Sequence, residues 1–138
     1  MKTVFTCGVF DLLHWGHVHF LIQARSLGDR LIVGVNDDRY VAASKGRPPV
    51  FPLRERLQML RALECVDDVK VFSEPDPCAL IRRLKPQIVA KGQEYRFGNA
   101  PEKALIEELG GQFVLLDSLP IHTSEIRSRV LANAATTC

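Results

Sequence analysis

What the chain lacks narrows its function first. Its four cysteines, Cys7, Cys65, Cys78 and Cys138, never form a Cys-x-x-Cys pair, so neither a zinc ribbon nor a dithiol redox centre is suggested. Glycine is not arranged as Gly-x-Gly-x-x-Gly or as Gly-x-x-x-x-Gly-Lys-Ser/Thr, which argues against an NAD enzyme and a P-loop ATPase. Charge excess is almost absent: 18 basic and 16 acidic residues leave +2, too little to imply a nucleic-acid partner. No apolar run approaches the roughly 18 to 20 residues of a membrane span. The amino terminus carries no signal-peptide apolar core, so a cytoplasmic soluble protein with no membrane partner is the expectation.

What is there suits one globular domain. The 138 residues are 46% hydrophobic and 25% charged, and they are enough to bury a core. Strand and helix signals alternate throughout. Thr3 to Thr6 is a β-rich run, followed by helical spacing from Val18 to Leu27. Leu31 to Val35 is a continuous apolar run typical of a strand covered on both faces. Ala42 to Pro52, rich in Gly and Pro, reads as a loop, and a helix follows with Leu53, Leu57, Leu60 and Leu63 at helical spacing. Val66 to Phe72 predicts a third strand. Asp76-Pro77 then caps a helix with Leu80, Ile81 and Leu84 inward. Gln87 to Ala90 predicts a fourth strand, running into a polar loop from Lys91 to Arg96. A helix over about Pro101 to Leu109, a strand over Gln112 to Asp117 and a helix from Thr123 complete the pattern. Ala132 to Cys138 reads as a flexible tail.

Five strands alternating with five helices predict one α/β domain over residues 1–138, a Rossmann-like five-stranded parallel sheet with helices on both faces. Ligands of such sheets sit at the carboxyl ends of the strands, where strand order reverses. The stretches Gly8 to His17, Asn36 to Lys45, Lys91 to Arg96 and Leu119 to Ser124 all fall at strand ends.

Chemistry concentrates in Gly-Val-Phe-Asp-Leu-Leu-His-Trp-Gly-His, residues 8 to 17. It joins a strand to a helix. Gly8 lets a ligand approach the backbone, and a helix start seats phosphate on unpaired N–H groups. His14 and His17, three residues apart, share one helix face and can donate hydrogen bonds to phosphoryl oxygens in a transition state. A zinc pair is the rival reading, but no third ligand lies nearby in sequence. Trp15 is expected to pack, His19 to lie on the surface or pack, and Asp11 to steady the turn. Cys7 stands beside this stretch with its role open.

The stretch resembles the signature of the cytidylyltransferase-like nucleotidyltransferases, in which a His-x-Gly-His tetrad binds a nucleoside triphosphate. The resemblance implies attack by an acceptor's phosphate oxygen on the α-phosphorus, with pyrophosphate expelled. Such a nucleophile needs no general base, so alignment and charge neutralisation carry the catalysis. His14, His17 and Lys45 are the implied catalytic residues. Gly8, Val9, Phe10, Gly16, Lys91, Gly92, Glu94, Thr123, Ser124 and Arg127 are the implied nucleotide and phosphate contacts. Asp11, Arg47 and Arg56 fall to the acceptor side. Mg²⁺ is expected with the triphosphate, held by phosphate oxygens and water rather than by a protein cluster. A homodimer is implied by resemblance alone.

Two branches of the family compete. The opening through His17 resembles glycerol-3-phosphate cytidylyltransferase. Arg47-Pro48, Pro52-Leu53, Arg56, Ala62-Leu63-Glu64, Lys91-Gly92 and Gly110-Gly111 resemble the heptose 1-phosphate adenylyltransferase domain of lipopolysaccharide biosynthesis. That branch usually has Asn at Cys7, Gly-Asp at Gln93-Glu94 and Ser-Thr-Thr at His122-Thr123-Ser124, so ATP and CTP both stay open. Outside the enzyme class, a nucleotide-binding module without turnover and a tRNA-ligase-like fragment are the alternatives. The two histidines favour catalysis over the first, and the absence of an anticodon-binding or editing domain disfavours the second.

Overall fold

Apolar side chains on the central strands alternate between the two faces of a sheet, and that alternation sets the layers. A computed structural model describes residues 1–93 and 100–136. In it β1 (Thr3–Gly8), β2 (Arg30–Asn36), β3 (Asp68–Phe72), β4 (Ile88–Gly92) and β5 (Gln112–Leu116) form one sheet in the order β3-β2-β1-β4-β5. Every neighbouring pair is parallel. Val4, Leu31, Val33, Val69 and Ile88 turn to one face, packed with Leu21 and Ala24 of α1 (Trp15–Ser26) and Leu60 of α3 (Leu53–Arg61). Phe5, Ile32, Phe72 and Val89 turn to the other, beneath α4 (Cys78–Leu84) and α5 (Pro101–Glu108). Fully burying one such Leu or Phe is worth roughly 1.5–3 kcal/mol, so the two clusters hold the sheet between its helices. The expected architecture forms.

Several boundaries differ from the sequence reading, each for a local reason. Ala42 to Lys45 is helix, not loop, because α2 (Asp38–Lys45) is capped at both ends. The Asp37 carboxylate accepts the Tyr40 N–H at 2.8 Å, and Gly46 ends the helix in the left-handed region (φ 71°). The described residues therefore hold six helices rather than five. Lys91 and Gly92 belong to β4, paired with Leu115 and Leu116, rather than to the polar loop after it. Pro77 precedes α4 as its cap residue instead of entering its first turn, while the Asp76 carboxylate accepts the Cys78 N–H at 2.9 Å. The last helix is α6 (Thr123–Thr136).

The order of strands places the crevice. The chain steps from β1 outward to β2 and β3, then returns to β4 beside β1, so strand order reverses between β1 and β4. The carboxyl ends Gly8 and Gly92 flank that reversal, which is where an open parallel sheet binds its ligand.

Candidate active site

A cavity of about 460 Å³ opens at the reversal. That lies within the range of small-ligand sites. One wall is the loop from Gly8 to Asp11 with His14, Gly16 and His17, and Lys45 and Arg47 stand at the end of α2. Lys91 and Gly92 of β4 form another side, and His122, Thr123 and Ser124 at the start of α6 close the rim. Most of the residues singled out in the sequence are thus brought together.

His14 and His17 form the mouth of α1. His14 is its N-cap, with extended backbone, and its Nδ1 accepts the Gly16 N–H at 3.1 Å. His17 Nδ1 accepts the His14 backbone N–H at 3.2 Å. This is a capping box in which imidazoles replace the usual hydroxyl and carboxylate. A ring nitrogen that accepts a hydrogen bond carries no proton, so each neutral ring holds its proton on Nε2. The rings stack with centroids 3.8 Å apart and planes 27° apart. Burial, then the neighbouring His14, pushes His17 down to about 4, with Lys45 adding to the fall and Asp11 opposing it. Burial and then His122 lower His14 as well. At neutral pH both rings are therefore uncharged Nε2–H donors. Gly16 makes the arrangement fit: a Cβ there would lie 2.9 Å from His14 Cε1.

The loop before α1 is strained and tied down. Phe10 (φ 54°) and Leu12 (φ 48°) adopt left-handed backbone, which costs bulky residues about 1–3 kcal/mol each. Asp11, between them, offsets that cost. Its carboxylate accepts Leu12 N–H at 3.1 Å, Phe51 N–H at 2.9 Å and Val50 N–H at 2.7 Å. Its carbonyl accepts the Thr123 hydroxyl at 3.1 Å, joining α6 to the histidine loop. Gly8 lines the cavity, but its missing side chain also makes room for the Phe10 ring, which a Cβ would approach to 3.1 Å.

Some expected contacts fall elsewhere. Arg56, expected to reach a phosphate, is wholly buried and does not line the cavity. Its guanidinium donates to Phe51 O at 3.0 Å, Val9 O at 2.8 Å and Asn36 O at 2.9 Å, and pairs with the Asp38 carboxylate. It binds the ends of β1 and β2 and the loop before α3 together instead of a ligand. Asp11 touches the cavity, yet its oxygens are taken up by backbone N–H groups, so an acceptor role is replaced by a structural one. The Thr123 hydroxyl is likewise engaged, with the Asp11 carbonyl. Arg127 is not among the cavity-lining residues. Glu94 lies outside the described residues.

Other contributors were missed. Phe20, Ser118 and His122 line the cavity. His122 was legible only as a departure from the family's Ser-Thr-Thr. Glu102 gave no signal at all, since a carboxylate in the first turn of a helix reads as surface. It is buried and stands 3.4 Å from Lys91 Nζ, which also lies 3.0 Å from Cys7 Sγ. Burial pushes the Cys7 thiol up, with Lys91 opposing. His19 packs edge-on against Trp15 rather than in the cavity.

A parallel sheet whose strand-end cavity is walled by paired imidazoles, lysines and an arginine defines a nucleotidyltransferase domain. The chain belongs to the cytidylyltransferase-like family, whose model matches residues 5–129. Among curated relatives, the bifunctional protein HldE of Streptomyces coelicolor is 48% identical over 93% of this chain, and that of Methylobacillus flagellatus 42% over 96%. The chain spans 27% of the length of each of these relatives. A solved lipopolysaccharide core biosynthesis protein from Thermoplasma volcanium superposes with a TM-score of 0.75 at 33% identity, covering 86% of this chain and 98% of that one. Thermotoga maritima TmcAL, bound with alpha-thio ATP, shares the fold at 14% identity and a TM-score of 0.66, over 97% of this chain and 51% of its own.

Proposed function

We propose that this domain transfers AMP from ATP to a heptose 1-phosphate and releases pyrophosphate. The observation that carries the chemistry is the pair of stacked, neutral imidazoles presenting Nε2–H donors at a helix mouth in a cavity rimmed by cations. The choice of acceptor is supported by the HldE relatives and by the stretches that resemble the heptose branch.

In this reading an acceptor phosphate oxygen forms the new bond to the α-phosphorus as the bond to the pyrophosphate oxygen breaks. His14 and His17 donate to the oxygens on which charge grows, and their proton affinity rises as the polyanion arrives. Lys45 and Arg47 neutralise the incoming phosphate, and the first N–H groups of α6 seat the departing end. Gly8 and Lys91 border the nucleotide on the β1 and β4 side. Mg²⁺ accompanies the triphosphate. Among the described residues no group of three or more His, Cys, Asp or Glu could hold a metal ion, and the Asp11 carboxylate is occupied. The ion would be held by phosphate oxygens and water, and would supply charge neutralisation when bound. Among the described residues no helix is long and apolar enough to cross a membrane. A cytoplasmic homodimer completes the proposal, its oligomeric state open to light scattering.

Pyrophosphate release over ATP, CTP, GTP and UTP, each with heptose 1-phosphate and with glycerol 3-phosphate, tests the reading. ATP with the heptose should give the highest kcat/KM. Release confined to CTP with glycerol 3-phosphate would move the chain to the other branch, and binding without release under every pair would make it a nucleotide-binding module.

A further inference from the structure

The most deeply placed cation on the cavity wall has a partner that touches no part of the cavity. Lys91 lines the cavity although it is only 6% exposed. Glu102, in the first turn of α5, is 4% exposed, does not line the cavity, and brings Oε1 to 3.4 Å from the Lys91 ammonium. Cys7 supplies a second contact, with Sγ 3.0 Å from the same nitrogen. Strand pairing explains the meeting. Phe5 pairs with Val89, so Cys7 and Lys91, each two residues further on, emerge side by side at the strand ends.

A buried ion pair is a poor way to stabilise a fold, because removing two charges from water consumes most of their attraction. At 3.4 Å this pair is not tight, and the Cys7 thiol lies closer to the same nitrogen. What it provides is a carboxylate held beside the lysine ammonium. Burial alone drives an ammonium towards its neutral form, and a carboxylate beside it reverses that. A thiol is a weak acceptor, so the contact with Cys7 is readily exchanged for a phosphate oxygen.

We propose that Glu102 is a positioning residue that keeps Lys91 charged and aimed into the cavity, where the ammonium passes from the Cys7 thiol to a phosphate of the bound nucleotide. The proposal rests on the nucleotidyltransferase reading above. Glu102 acts from behind the lysine and never meets the substrate. Its effect is confined to nucleotide affinity.

Steady-state kinetics of Glu102→Gln, Glu102→Asp, Lys91→Met and the double variant Lys91→Met with Glu102→Gln test it. Glu102→Gln should raise KM for the nucleotide about 10-fold or more, the scale of a hydrogen bond to a charged group. KM for the acceptor and kcat should stay near wild type. Glu102→Asp, which keeps the charge, should recover most of the affinity. In the Lys91→Met background Glu102→Gln should add nothing. An unchanged nucleotide KM, or a loss that persists undiminished without the lysine, overturns the proposal. So does a Glu102→Gln protein that fails to fold while Lys91→Met folds, since the carboxylate would then serve the fold. Wild-type protein that releases no pyrophosphate with any substrate pair removes the nucleotidyltransferase reading itself, and this proposal with it. Active wild type with an unaffected Glu102→Gln removes the proposal alone.

Discussion

Replacing Arg56 by methionine separates the fold's claim on this residue from the ligand's. Methionine fills a similar length without charge or donors. One buried carbonyl, on Asn36, and two part-buried ones, on Phe51 and Val9, would lose their partner, along with the carboxylate of Asp38. A buried group left unpaired costs about 1–3 kcal/mol. The Asp38 side chain is 44% exposed and can return to water, so its share is small. One buried and two part-buried carbonyls left unpaired, with some relaxation, give a loss of about 2–4 kcal/mol. That is a large part of the roughly 5–15 kcal/mol available to a domain. Equilibrium urea unfolding measures it directly, with kinetics on the folded fraction as the companion assay. A variant within about 1 kcal/mol of wild type that has lost acceptor affinity would refute the reasoning and return Arg56 to the phosphate site.

Other outcomes follow from the same geometry. The folded His17 titrates at about 4, below the ordinary 6.5, so the unfolded chain takes up this proton first as pH falls. The ring's contribution is complete above pH 6.5 and is lost as pH drops through 4, by roughly 2–3 kcal/mol; urea unfolding at pH 7 and 4.5 should show this drop in wild type and a smaller one in His17→Gln. Gly16→Ala puts a methyl 2.9 Å from His14 Cε1 and 3.3 Å from Ile121 Cβ, and turnover should fall about 10-fold or more with little change in melting temperature. Asp11→Ala removes the acceptor of the Leu12, Val50 and Phe51 N–H groups, and should cost about 1–3 kcal/mol by urea unfolding while raising protease sensitivity near Val50.

The sheet was legible because its inner strands are buried on both faces and read as apolar runs, as Leu31 to Val35 does. Strand-to-helix alternation then fixed the crevice. α2 was hidden because Gly and Pro crowd its far side, while the features that make it a helix, the Asp37 cap and a left-handed Gly46, are single residues. His14 and His17 were legible because their spacing on one helix turn needs no distant partner. Arg56 was misplaced for the opposite reason. An arginine beside a phosphate and an arginine bound to three carbonyls look alike until the loops that own those carbonyls are folded round it. Glu102 was invisible on the same ground, since it meets Lys91 only through the packing of α5 on β4.

The central claim is that the stacked imidazoles carry the displacement of pyrophosphate. Single-turnover pyrophosphate release by wild type and by the His14→Ala, His17→Ala double variant, both saturated with nucleotide and acceptor, tests it most directly. The account predicts a rate loss of about 10³-fold or more in a variant whose circular dichroism matches wild type. A double variant that releases pyrophosphate at the wild-type rate would contradict it.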